Sequence, residues 1–196
     1  MRLKNGVCLV PKRLDLVFQL SDNLRKDASE LAPTFNWVAA SPNNIIQYFN
    51  EEPLKTTFLQ FLKKDFYGVL ILENSNWVAY GWMSCPSTLG PIHLSSQIQR
   101  LNVFWIFYCH TKESFRGQGL YKRILKLLIQ QAFKESKDAE ICIDTQGNNI
   151  AARKAILSVG FEPKGIINTY KLGIPKLKSW NVGKWNTEVA HPPLPG

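Results

Sequence analysis

Histidine is scarce and scattered in this chain, at positions 93, 110 and 191, and the cysteines at 8, 85, 109 and 142 never fall into Cys-x-x-Cys spacing. Metal sites draw on clustered His and Cys ligands, so this dispersion argues against a metal centre. The same wide spacing favours buried free thiols over disulfides, because Cys109 and Cys142 sit in apolar, strand-like runs. No apolar run approaches the ~20 residues that a membrane-spanning helix needs, and the opening Met1-Arg2-Leu3-Lys4-Asn5-Gly6 does not read as a secretion signal. A cytoplasmic location without a membrane span is the expectation. Acidic residues are also few, 15 against 24 Lys and Arg, for a net charge of +9. That excess raises the question of a nucleic-acid partner. The basic residues, however, are spread over Lys12-Arg13, Lys63-Lys64, Lys122-Arg123-Lys126, Arg153-Lys154 and Lys171 to Lys184. They come with no helix-turn-helix or RNA-recognition signature, and no nucleic-acid partner is expected. Repeats and low-complexity tracts are absent too.

What the chain does have is enough apolar material for a core: 196 residues, 45% apolar and 12% aromatic. Strand-like pieces between Cys8 and Leu20 are interrupted by Pro11, and a short helix is predicted from Asp22 to Leu31. Ser41-Pro42 and Glu52-Pro53 read as helix starts with proline in the first turn, and Leu54, Phe58, Phe61 and Leu62 follow helical spacing. Tyr67 to Glu73 and Trp77 to Ser84 form a hairpin around Asn74-Ser75-Asn76. Pro86 to Gln99 reads as a connection. Of the aromatics that could line a pocket, Trp37, Trp82, Trp105 and Tyr108 are better explained by packing. Trp180 and Trp185 lie in a lysine-bearing tail that is expected to fold back as a flap or an extra strand.

The most informative stretch is Phe115-Arg116-Gly117-Gln118-Gly119-Leu120-Tyr121. It follows Val103 to Thr111, a β-branched and aromatic run that reads as a central strand. It precedes a helix whose apolar stripe is Leu120, Ile124, Leu127, Leu128 and Phe133. Glycines let the backbone turn tightly, and the unpaired N–H groups at the helix start attract phosphate. A second strand-loop-helix unit follows: Ala139 to Thr145, then Gln146-Gly147-Asn148-Asn149, then a helix from Ile150 to Val159 closed by Gly160.

These residues resemble the GNAT superfamily of acetyl-CoA-dependent N-acetyltransferases. Arg116 and Gly119 match the family's glycine-turn pattern, with Tyr121 where a small residue is usual. Asn149, Ala152 and Gly160-Phe161 match its Asn…Ala…Gly-Phe segment. The resemblance covers roughly Asn102 to Leu172. It implies an α/β (α+β) fold, a mixed, mostly antiparallel central sheet flanked by helices, in one domain over residues 1–172 with residues 173–196 packing on it. It also implies acetyl-CoA as cosubstrate, held by Cys109, Thr111, Arg116, Gly117, Gln118, Gly119, Leu120, Tyr121, Lys122, Asn149 and Ala152. Lys122, Arg123 and Lys126 would add cations near the phosphates. The implied reaction is acetyl transfer to a primary amine of a small molecule, with a homodimer left open. The positive charge tilts the acceptor towards an amino sugar or a sugar nucleotide. Two departures bear on mechanism. Ile156 stands where many members carry a tyrosine acid, and Val103 to Thr111 holds no carboxylate base. His110 is then the first candidate for a base, with Tyr108 and Tyr170 behind it. A CoA-binding sensor or interaction module that has lost catalysis is the alternative.

Overall fold

The computed structural model describes residues 8–22, 36–50, 52–173 and 180–195. The helix expected from Asp22 to Leu31 falls almost wholly outside them. Alternating and continuous apolar runs become strands β1 (Cys8–Leu20), β2 (Trp37–Ala39), β3 (Tyr67–Glu73), β4 (Asn76–Ser84) and β5 (Phe104–Thr111). They are followed by β6 (Ile141–Gln146), β7 (Phe161–Gly173) and β8 (Trp180–Asn186). The helices are α1 (Pro42–Tyr48), α2 (Glu52–Leu62), the single turn α3 (Ser96–Gln99), α4 (Leu120–Glu135) and α5 (Ile150–Ser158). Ser41 caps α1 by accepting from the Asn44 N–H at 3.2 Å, with Pro42 in the first turn where its missing N–H costs nothing.

The described strands form one sheet in the order β2-β3-β4-β5-β6-β1-β7-β8. Every neighbouring pair is antiparallel except β5 and β6. β1 lies between β6 and β7, strands from the far end of the chain. Pro11 interrupts β1 as the sequence predicts, but as a register shift between Pro11 and Arg13 inside one continuous strand. Proline has no N–H to give the ladder, and the irregularity absorbs that loss. The tail returns as β8 along β7, Trp180 opposite Leu172 and Asn186 opposite Ile166.

Two apolar cores lie on the two faces of the sheet. One joins Leu16, Phe18, Ile106 and Ile143 to Leu120, Ile124, Leu125 and Leu128 of α4. The other joins Val17, Trp82 and Trp105 to Ile45, Phe49 and Phe58 of α1, α2 and the chain between them. Gly81 lets α4 lie close to the sheet: a Cβ there would stand 2.3 Å from Ile124 Cγ2 and 2.9 Å from Cys109 Sγ.

The feature that positions the site is the parting of β5 from β6. Their pairing covers only Phe104–Ile106 with Ile141–Ile143. Beyond it β5 bulges against β4, where the register slips between Tyr80 and Trp82, and Tyr108 takes a φ of +50°. A bulge adds a residue to one strand and bends it. Here it opens a wedge in the middle of the sheet. Among the described residues no helix is long and apolar enough to cross a membrane.

Candidate functional site

The glycine turn stands at the mouth of that wedge. Gly117 and Gly119 have φ of +83° and +74°, the left-handed region that favours glycine, and a Cβ on either would meet nothing within 4 Å. Conformation, rather than lack of room, therefore selects glycine here. Gly119 caps α4 without a side chain, and the helix's bonding begins with the Arg123 N–H donating to the Gly119 carbonyl at 3.2 Å. The N–H groups of Leu120, Tyr121 and Lys122 precede that first bond and lack an acceptor within the helix.

They border a cleft of about 670 Å³. Of the residues expected to hold the cofactor, Cys109, Thr111, Arg116, Gly117, Gly119, Leu120, Tyr121, Lys122, Asn149 and Ala152 line it, and Gln118 does not. His110, Phe115, Ala151 and Ala155 complete the wall. Asn149 caps α5, its Oδ1 accepting from the Ala152 N–H at 3.2 Å, so the capping residue also faces the cleft. Arg116 is exposed and pairs loosely with Glu113 at 3.4 Å. Burial pushes the Cys109 thiol up to about 12 and raises the Tyr121 hydroxyl well above its usual range, so both are neutral.

The three expected proton-transfer residues separate. His110 borders the cleft with its ring stacked on Tyr80 at 5.5 Å. Partial burial, and then the Arg116 charge, hold its pKa below the ordinary value. Tyr108 sits on the bulge and faces a second, smaller cavity. Tyr170 lies on β7 opposite Pro11 and Val182 and lines neither cavity. Ile156 is fully buried in the α4 core, so that position serves packing.

The second cavity, about 280 Å³, shares Cys109, Tyr121, Asn149 and Ala152 with the first. Its wall also holds Arg13 of β1, His93 from the segment before α3, and Asp144 of β6. The Asp144 side chain is only 2% exposed and accepts from three sides. His93 Nε2 lies 3.0 and 3.2 Å from its two oxygens, Trp105 Nε1 donates at 2.7 Å, and Arg13 Nη2 donates at 3.1 Å. Burial opposes its charge, yet the bond and charge of His93, the Trp105 bond and the Arg13 charge together hold its carboxyl below the usual range. Arg13 also donates through Nε to Asp15 Oδ1, while Asp15 Oδ2 is buried without a hydrogen-bond partner. Burial and then the Asp144 charge push Asp15 up to about 6, against Arg13 and His93, which lower it.

None of Arg13, Asp15, His93 and Asp144 stands out as a site residue when the sequence is read for motifs. A signal was present. Asp144 breaks the apolar run Ile141-Cys142-Ile143, and Asp15 precedes Leu16-Val17-Phe18. A carboxylate inside an otherwise buried strand needs partners. Their identity depends on which strands lie side by side, and that is a property of the topology. The tilt towards anionic acceptors assumed that no acidic pocket exists, and this pair of carboxylates weakens it.

Residues 23–162 match the family model described as an acetyltransferase (GNAT) domain. Among solved structures, a GNAT-family acetyltransferase from Colwellia psychrerythraea is similar at 17% identity and a TM-score of 0.56, over 80% of this chain and 54% of that one. A GNAT-family protein described as a putative acetyltransferase, from Novosphingobium aromaticivorans, is similar at 14% identity and a TM-score of 0.55, over 87% of this chain and 69% of that one. An aminoglycoside N-acetyltransferase in complex with CoA is similar at 15% identity and a TM-score of 0.50, over 65% of this chain and 91% of that one. At such identities the likeness concerns the fold. The chain spans about half to two-thirds of the length of several of these structures. No curated protein matches the sequence significantly.

Proposed function

The chain belongs to the GNAT acetyltransferase family, and from that premise we propose that it transfers an acetyl group from acetyl-CoA to a primary amine of a small molecule. One observation carries the reading: the glycine turn opens α4 onto the cleft with N–H groups that have no acceptor within the helix. A pyrophosphate fits that chemistry, because the N–H groups and the helix dipole both favour an anion. Gly117 to Lys122 would hold it through backbone N–H groups, and Arg116 and Lys122 would add charge. Acetyl-CoA supplies an activated thioester. The β5 edge facing β6 carries no ladder beyond Ile106, so its N–H groups near Cys109 are the donors we assign to the developing oxyanion. The overall charge favours an amino sugar or a sugar nucleotide as acceptor, and the carboxylates Asp15 and Asp144 favour the amino sugar, which carries an ammonium and no phosphate. A CoA-binding module without turnover is the second reading, favoured by the buried Ile156 at the expected acid position.

The test is release of free thiol from acetyl-CoA across a mixed panel of amines, together with calorimetry of CoA binding. Steady turnover with any amine supports the enzyme, and binding without turnover supports the module. Gly119→Val forces a branched side chain into the left-handed region, at a cost of about 1–2 kcal/mol, so the turn is driven out of the conformation that presents its N–H groups. CoA affinity should fall about tenfold or more in a folded variant. Unchanged affinity would mean that the phosphate site lies elsewhere.

A further inference from the structure

The cavity beside the cofactor cleft contains a histidine whose tautomer is set by its partner. His93 Nε2 faces both oxygens of Asp144, and an ionised carboxylate only accepts, so Nε2 carries the proton and donates it. In the neutral ring that tautomer leaves Nδ1 as a bare acceptor, and no group among the described residues occupies it. Asp144 is itself fixed by Trp105 and Arg13, so the imidazole is oriented by a carboxylate that cannot turn away. We propose that the acceptor amine enters this second cavity and that His93, oriented by Asp144, is the base that removes its proton. The proposal rests on the acetyl-transfer reading given above.

The charges around His93 suit a cationic guest. β1 contributes Arg13 and Asp15, β6 contributes Asp144, β5 contributes Tyr108 and Cys109, and α4 contributes Tyr121. With the thiol and the Tyr121 hydroxyl neutral, one guanidinium faces two carboxylates, and the cluster carries one net negative charge while His93 is neutral. An ammonium group is drawn to such a site, and one of its protons passes to Nδ1. The imidazolium that forms stays paired with Asp144, as in the His-Asp pairs that stabilise a protonated base. The freed nitrogen lone pair forms the bond to the acetyl carbon, and the carbon–sulfur bond breaks with its electron pair on sulfur. The proton that nitrogen sheds on becoming an amide completes the thiol, and His93 returns its own proton to water. Cys109, Tyr121, Asn149 and Ala152 border both cavities, so the two reactants meet at a common wall.

His93→Gln should lower kcat/KM about a hundredfold or more, with CoA affinity retained as proof of folding. Asp144→Asn takes away the carboxylate that orients the ring and should lower kcat while CoA affinity holds. Nitrogen-15 spectra of the imidazoles in the protein alone give a readout that needs neither cofactor nor acceptor. They should show the neutral His93 ring with Nε2 protonated and Nδ1 bare. A ring with its proton on Nδ1 overturns the proposal even if acetyl transfer occurs. So does a kcat/KM that is kept in His93→Gln and lost in His110→Gln. Failure of CoA to bind would sink the acetyl-transfer reading and leave the spectra unchanged.

Discussion

Asp15 and Asp144 lie on adjacent strands and respond to acid in opposite senses. Asp15 titrates at about 6 when folded, above its ordinary 3.8. Between those values the folded state binds more protons than the unfolded chain. Its contribution to stability is therefore complete below about pH 4 and is lost as the pH rises through about 6. Asp144, lowered on folding, contributes stability above the ordinary carboxylate range and loses it as the pH falls through its folded value. The stability of wild type relative to Asp15→Asn should thus decrease from pH 4 to pH 7, by on the order of 1–3 kcal/mol, in denaturant titrations at fixed salt. A difference that stays level or grows would show that Arg13 governs Asp15 more than burial does. The pair was hidden in the sequence because 131 positions separate Arg13 from Asp144. No local pattern reports a contact of that span.

At the scale of elements, the bulge in β5 is the device that opens the sheet. Tyr108 adopts φ +50° although it is bulky, and its ring lies 5.5 Å from Phe61 and 6.1 Å from Tyr80. Truncation to Ala and to Gly both forfeit those ring contacts, but only Gly also relieves the backbone. Tyr108→Gly should be more stable than Tyr108→Ala by about 1 kcal/mol in urea unfolding, the reverse of the order in a regular strand. Equal stabilities would mean that the bulge relaxes once the ring is gone. Elements with their own periodicity were legible beforehand. The apolar stripe and glycine cap of α4, the hairpin of β3 and β4, and the Asn149 cap of α5 all follow from spacing and propensity. The bulge was not legible: Tyr108-Cys109-His110 continues an unbroken strand-forming run, and only the pairing with Tyr80 and Trp82 exposes the extra residue. Cleft-lining residues such as Gly119 and Asn149 belong to motifs. The neighbouring cavity draws on β1, β5, β6 and the segment before α3, which only the assembled sheet brings together.

Across the whole molecule, β8 braces the wall that carries His93. Ser95, two residues on, donates its hydroxyl to the Gly183 carbonyl at 3.0 Å. Trp185 packs edge-on against Trp105 at 5.8 Å and donates to the Lys164 carbonyl, and Trp105 holds Asp144. Trp185→Ala should cost about 1–3 kcal/mol of stability, and Ser95→Ala about 1 kcal/mol. With both in place, kcat should drop while CoA affinity holds, because the strut meets the base and not the glycine turn. Losing both together would mean that β8 supports the fold as a whole. The slot of β1 between β6 and β7 has a consequence in time. On a ribosome β1 emerges well before either of its neighbours, gaining β6 only once Gln146 has been made and β7 only once Gly173 has. Before Gln146 is made β1 has no partner strand, and Asp15, Arg13 and Asp144 are strangers. Contacts of such long sequence separation form slowly. The hairpin of β3 and β4 should gain hydrogen-exchange protection first in refolding, and β1 should be among the last to acquire it.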